Sequence, residues 1–127
     1  MITHESLAVG VVLGRHEYRF DGDALRQWLS LFPTDEDGDV MPPGMTAVVA
    51  MRAFGAVLTP RAPGNVHASQ KFEVERLPLL GETLVTAVSC VEKSLRHDRR
   101  RVTILTETSD TSGGVCFRGT MGVIWAS

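Results

Sequence analysis

The sequence predicts a single α+β domain in which a long, curved antiparallel sheet wraps around one apolar helix. Two observations carry this. From Met45 to Leu58 the chain reads MTAVVAMRAFGAVL, apolar or small on every face except for Arg52, and a helix of that kind must be enclosed. From Val66 onward the period changes from helical to alternating and stays so to the end of the chain, and strands segregated from helices mark the α+β class.

The elements follow in order. Val11 to Phe20 carries Tyr18 and Phe20 among polar residues and reads as a first strand or extended entry. Asp21, Gly22 and Asp23 offer an N-cap and first-turn negative charge, and Leu25, Trp28, Leu29 and Phe32 fall at helical spacing before Pro33 ends the helix. An acidic loop, Thr34 to Asp39, leads through Met41, Pro42, Pro43 and Gly44 into the apolar helix. Ala47, Ala50, Ala53, Gly55 and Ala56 on that helix permit close approach of a sheet, and Pro60 to Gly64 ends it.

In the next strand Val66, Ala68, Gln70, Phe72 and Val74 share one face, with His67, Ser69, Lys71, Glu73 and Glu75 on the other. A turn at Pro78 to Glu82 precedes Thr83 to Leu95, a run far longer than the usual strand of about 5 to 6 residues. Such a strand suits a strongly curved sheet. A basic turn at Arg96 to Arg100, a strand Arg101 to Ser109, a hairpin at Gly113 and Gly114, and a last strand complete the chain. In that last strand Val115, Phe117, Gly119, Met121, Val123 and Trp125 share a face.

The chain's 127 residues fit one domain, 1–127, with a core large enough to need neither disulfide nor structural metal. A formal charge of −2 and a pI near 6.1 argue against nucleic acid or an anionic membrane as the main partner. Cys90 and Cys116 lie inside strand-like runs, which suits buried thiols in a reducing compartment, so a cytoplasmic location is the expectation. The first residues, MITHESLAVG, lack the basic and apolar regions of a secretory signal. No apolar run reaches the roughly 20 residues of a membrane span.

The segment Arg76, Leu77, Pro78, Leu79, Leu80, Gly81, Glu82, Thr83, Leu84 resembles the R-P-x-x-x-G-D-x-L turn of MaoC-like hydratases and dehydratases. It is shifted by one residue at its start, and Glu82 replaces the usual Asp. Pro43, Gly44 and Met45 at the helix start resemble a feature of the hydroxyacyl-carrier-protein dehydratases. Both resemblances imply the hot dog fold and an acyl thioester, on coenzyme A or an acyl carrier protein, as substrate. They also imply water added to or removed from the α and β carbons, with a carboxylate and a histidine as the proton-transfer pair.

The sequence departs from both patterns at that pair. Against the D-x-N-P-x-H motif of the MaoC-like enzymes, Asp35 stands at the Asp, the N-P is missing and Val40 stands where the His is expected. The carrier-protein dehydratases place a His nine residues before the helix-start Gly and a Glu five after it, positions held here by Asp35 and Val49. A thioesterase using a carboxylate on the central helix is disfavoured because Met45 to Leu58 contains no Asp or Glu.

Each candidate site residue has a functional and a purely structural role open to it. Gly44, with Pro43 and Met45, offers the unpaired amides and positive end of a helix to a thioester carbonyl, or is a turn glycine after two prolines. Asp35 is a candidate acid or base, or one charge of a solvated acidic run. His67, at a strand start, is the best histidine available for proton transfer, or a surface residue. Arg99, Arg100 and Arg101 suit the phosphates of coenzyme A or phosphopantetheine, or blunt an exposed hairpin. Asp35, Asp37 and Asp39 suggest calcium, but an EF-hand needs Gly at its sixth position and Glu at its twelfth, here Val40 and Thr46. No metal and no cofactor is therefore expected. The expected oligomer is a homodimer or a pairing with another hot dog chain, because such a sheet leaves an edge and a tunnel for a second chain to complete. Three readings stay open: a hydratase or dehydratase, a binding or structural subunit without its own dyad, and a thioesterase.

Overall fold

The structure is a computed structural model describing residues 1–127. Five strands form one antiparallel sheet: β1 (Val12–Arg19), β2 (Val66–Val74), β3 (Thr83–Arg96), β4 (Arg99–Ser109) and β5 (Val115–Trp125), in the order β1-β3-β4-β5-β2. Two helices, α1 (Gly22–Leu31) and α2 (Met45–Val57), complete the α+β architecture.

Local chemistry explains the helix ends. The Asp21 carboxylate accepts from the Ala24 N–H at 2.9 Å, the N-cap bond that its position before the apolar stripe called for. α1 stops at Leu31, two residues short of Pro33. In α2 the buried residues are Met45, Thr46, Val49, Ala50, Ala53 and Phe54, a single stripe laid on the sheet. Ala50 and Ala53 are fully buried, so small side chains bring helix and sheet together.

The core divides along α2. Its first half packs with Phe20, Leu25, Met41, Leu84 and Phe117, and its second half with Val88, Ile104, Met121, Val123 and Trp125. Buried hydroxyls are satisfied across the sheet: Thr86 and Thr108, directly opposite in register, share a hydrogen bond of 2.7 Å. Cys90 and Cys116 are free and buried, and burial pushes both thiols up. No helix is long and apolar enough to cross a membrane.

Three features differ from the expectation. The basic turn is shorter: only His97 and Asp98 turn, both with positive φ (53° and 61°), so the strands run on to Arg96 and from Arg99. Two such residues form the tight hairpin that matches strand twist. Secondly, a bulge between His67 and Ser69 makes Ala68 an extra residue. It moves His67 opposite Val123, onto the helix-facing side with Gln70, Phe72 and Val74. Thirdly, one side of α2 is open within the chain, where Met51, Arg52 and Ala56 are exposed. β2 is exposed along nearly its whole length and has a free edge. At its middle, Phe72 crosses Gly119, where a Cβ would lie 2.9 Å from the ring.

Candidate functional site

The site is built around the start of α2. The amides of Met45, Thr46 and Ala47 bond back to the carbonyls of Pro42, Pro43 and Gly44 (3.0, 3.2 and 3.2 Å), and the Thr46 hydroxyl donates to the Pro43 carbonyl at 2.7 Å. The Gly44 N–H donates to no protein group, and Gly44 and Pro43 are exposed while Met45 is buried. No acidic residue sits in the first turn to neutralise the positive helix end. One amide therefore remains free to polarise an oxygen.

Trp28 of α1 lies directly against that glycine. A Cβ at position 44 would stand 2.7 and 2.9 Å from two atoms of the indole ring. The ring stacks on Phe32 with centroids 4.2 Å apart, and its Nε1–H donates to Asp35 Oδ2 at 2.7 Å. Asp35, Trp28 and Gly44 thus form one continuous unit. Beside it opens an apolar cleft of about 130 Å³ between α1, α2 and β1, lined by Tyr18, Trp28, Leu31, Met45, Val48 and Arg52. The Arg52 guanidinium lies 5.9 Å from the Tyr18 ring centre, and burial pushes the Tyr18 hydroxyl up.

The turn that resembles the MaoC-like motif is the clamp that positions this unit. Met41 N–H donates to the Pro78 carbonyl (2.9 Å), Leu80 N–H to Asp39 (2.7 Å) and Gly81 N–H to Phe20 (2.7 Å). These bonds tie the α2 lead-in and the β1–α1 junction to one turn. Arg76 locks it, donating twice to Glu82 (2.9 and 2.7 Å) and once to Asp110 (2.8 Å), while Glu82 also accepts the Leu79 N–H at 2.5 Å. Arg76 holds both carboxyls below the usual carboxylate range, Glu82 further helped by Leu79, and Asp110 by Ser112 and Gly114.

A carboxyl whose folded pKa is depressed contributes stability above its unfolded value, about 4, and loses it as pH falls through the folded value. Arg76→Gln is therefore expected to lower the melting temperature by a few degrees at pH 7. The difference from wild type should shrink progressively as the pH falls below about 4, a trend that thermal denaturation between neutral and acid pH would check.

The other candidates lie elsewhere. His67 lines a cavity with Met51, Phe54 and Met121 beside the second half of α2. Met51 is already about 10 Å of helix rise from Gly44, so the chain joins Asp35 to Gly44 and leaves His67 apart. Arg100 pairs with Leu95 and Trp125, and Arg101 with Ser94 and Ile124. Strand alternation points Arg100 to one face and Arg99 and Arg101 to the other, all toward the end of the sheet where Trp125 packs on Phe54. No three of the His, Cys, Asp or Glu side chains gather as a metal would require. The residues that sequence reasoning missed are Trp28, Arg76 and Asp110. Trp28 belonged to the apolar stripe of α1, and only the fold shows that it meets Gly44 sixteen positions later.

No protein-family model and no curated protein sequence matches the chain. Solved structures do. A MaoC-like dehydratase from Rhodospirillum rubrum superimposes with a TM-score of 0.81 at 22% identity, covering 98% of this chain and 97% of that one. The HadBC (3R-hydroxyacyl-ACP dehydratase) complex from Mycobacterium tuberculosis matches with a TM-score of 0.72 at 15% identity, covering 91% and 96%. A hot-dog-like protein from Thermanaerovibrio acidaminovorans matches with a TM-score of 0.70 at 14% identity, covering 100% and 89%. The chain has the hot dog fold. In hot dog terms α2 is the central helix, and the free Gly44 amide stands at its N-terminal end.

Proposed function

We propose that this chain binds an acyl thioester, on coenzyme A or an acyl carrier protein, at the start of α2, as a hydratase- or dehydratase-like protein acting at the α and β carbons. The observation that carries the reading is the single free amide of Gly44 beside an apolar cleft. The amide receives the thioester carbonyl, and its hydrogen bond strengthens as negative charge builds on that oxygen during proton transfer at the α carbon. The cleft of about 130 Å³ takes the first carbons of the acyl chain. Pro43 and Met45 shape its approach. Asp35 is the carboxylate linked to Gly44 through the Trp28 ring, oriented by Trp28 through one oxygen, with the other left to exchange a proton.

The separation of His67 from Asp35 supports a second reading, in which the chain is a binding subunit whose proton-transfer pair is completed by another hot dog chain. The HadBC neighbour is a complex. The exposed β2 edge offers the place for a second copy or a different chain. Arg99, Arg100 and Arg101 would then meet the phosphates of the carrier from the neighbouring subunit.

Hydration of crotonyl-CoA and of a longer trans-2-enoyl-CoA by the purified protein, followed at the enoyl absorbance, tests the choice. Turnover that falls at least tenfold in Asp35→Asn or His67→Ala would establish a hydro-lyase and identify its proton-transfer group. Absence of turnover with acyl-CoA still raising the melting temperature would establish the binding subunit. Release of free thiol instead would mark a thioesterase.

A further inference from the structure

α2 carries a single charge, Arg52, in a helix that is otherwise apolar or small. That charge closes the cleft beside Gly44. Met45 and Trp28 stand at the near end of the cleft, and Tyr18, Gln27 and Arg52 at the other. No carboxylate lines it.

The guanidinium is unspent. Arg52 forms no ion pair and no side-chain hydrogen bond within the chain. Its one contact of note is with the Tyr18 ring, 5.9 Å from the centre, which leaves the whole donor fork available. The acidic groups of the neighbouring cavity are engaged or averted. Asp21 accepts from the Ala24 N–H at 2.9 Å, Asp23 pairs with Arg26, and Glu17 falls on the opposite face of β1 from Tyr18. Arg52 is also exposed, so a ligand reaches it. Tyr18 belongs to β1, at the opposite edge of the sheet from β2, and a chain added along β2 leaves this end of the cleft clear.

The dimensions set the length of a matching ligand. Gly44 and Arg52 are eight residues apart, about 12 Å of helix rise, and helical side chains lean toward the N-terminus, so the guanidinium lies short of that distance. An extended chain advances about 1.2 Å per bond, so a diacid of five or six carbons, with a hydrogen bond of about 3 Å at each end, spans the gap. Volume agrees. An apolar cavity of about 150 Å³ takes the six carbons of benzene, and this cleft measures about 130 Å³.

We propose that the acyl group this chain prefers ends in a second carboxylate: a half-thioester of a short aliphatic dicarboxylic acid, its far carboxylate held by the Arg52 fork and its methylenes lying between Trp28, Val48 and Tyr18. The inference rests on the reading in which the Gly44 amide receives the thioester carbonyl, and it makes Arg52 the residue that sets specificity. The apolar walls exclude water from the methylenes, and the fork pairs with both carboxylate oxygens.

Calorimetric titration of the full chain with glutaryl-CoA and adipyl-CoA, each against the neutral acyl-CoA of equal carbon number, valeryl-CoA and hexanoyl-CoA, and all against free coenzyme A, tests this. At least one dicarboxylyl thioester is expected to bind about tenfold or more tighter than its neutral counterpart, the gain of a charge-assisted pair. Arg52→Gln, which keeps most of the side chain and removes the charge, should abolish that advantage. Arg15→Gln, at an exposed arginine of β1 without an ion pair, should leave it intact and so controls for net charge. Neutral acyl-CoAs that bind tighter than coenzyme A with no gain for either dicarboxylyl thioester, or an advantage that survives in folded Arg52→Gln or is lost equally in Arg15→Gln, would overturn this inference alone. No acyl-CoA binding tighter than coenzyme A would overturn the thioester reading and this inference with it.

Discussion

Gly44→Ala is expected to destabilise the protein by about 1–3 kcal/mol, the range for forcing a methyl group into a packed contact. The added carbon would stand 2.7 and 2.9 Å from the Trp28 ring. The ring has little freedom to retreat, since it is stacked on Phe32 and tethered to Asp35. Either α1 moves outward or the first turn of α2 frays, and both displace the free amide. Urea denaturation of Gly44→Ala, Trp28→Leu and the double variant would measure this. A smaller loss in the double variant than the sum of the single ones is expected, because removing the ring removes the clash. A loss below about 0.5 kcal/mol for Gly44→Ala, with additive behaviour, would show that the two groups are uncoupled.

Phe117→Ala is expected to cost about 3–5 kcal/mol, a large part of the roughly 5–15 kcal/mol that holds a domain of this kind folded. Phe117 is 1% exposed at the centre of the cluster under the first half of α2, with Met45, Val49, Leu84 and Phe20. Its strand neighbours, Thr108 and Val74, hold the backbone in register from both sides, so collapse around the missing ring is restricted. The midpoint of chemical denaturation should fall sharply, with Phe117→Leu retaining much of the stability. A cost below about 1.5 kcal/mol for the alanine variant would place the weight of the core elsewhere.

Much of this architecture could be read before the structure. The apolar run at α2 allows only a helix laid on a sheet, and Asp21 before the stripe of α1 marks its cap. The turn from Arg76 to Glu82 was legible as a family resemblance, yet its physical work was not. It ties Asp39 and Met41 to Pro78 and Leu80, long-range bonds with no local signature. Strict alternation places His67 on the polar face with Ser69 and Lys71, whereas the bulge at Ala68 turns it to the helix-facing side, where it is still exposed. A bulge adds one residue without altering composition, so period counting passes over it. The open side of α2 was hidden because an apolar sequence does not say which chain covers it. The fold shows Met51 and Arg52 exposed and β2 at the edge of the sheet.

The proposed role of the Gly44 amide is to receive the carbonyl of an acyl thioester. Calorimetric titration of the wild-type protein with butyryl-CoA, against free coenzyme A and against Gly44→Ala, tests that role. Binding of butyryl-CoA at least tenfold tighter than coenzyme A, with that advantage lost in a folded Gly44→Ala protein, is the predicted result. Equal affinity for the two ligands, or an advantage untouched by the substitution, would contradict it.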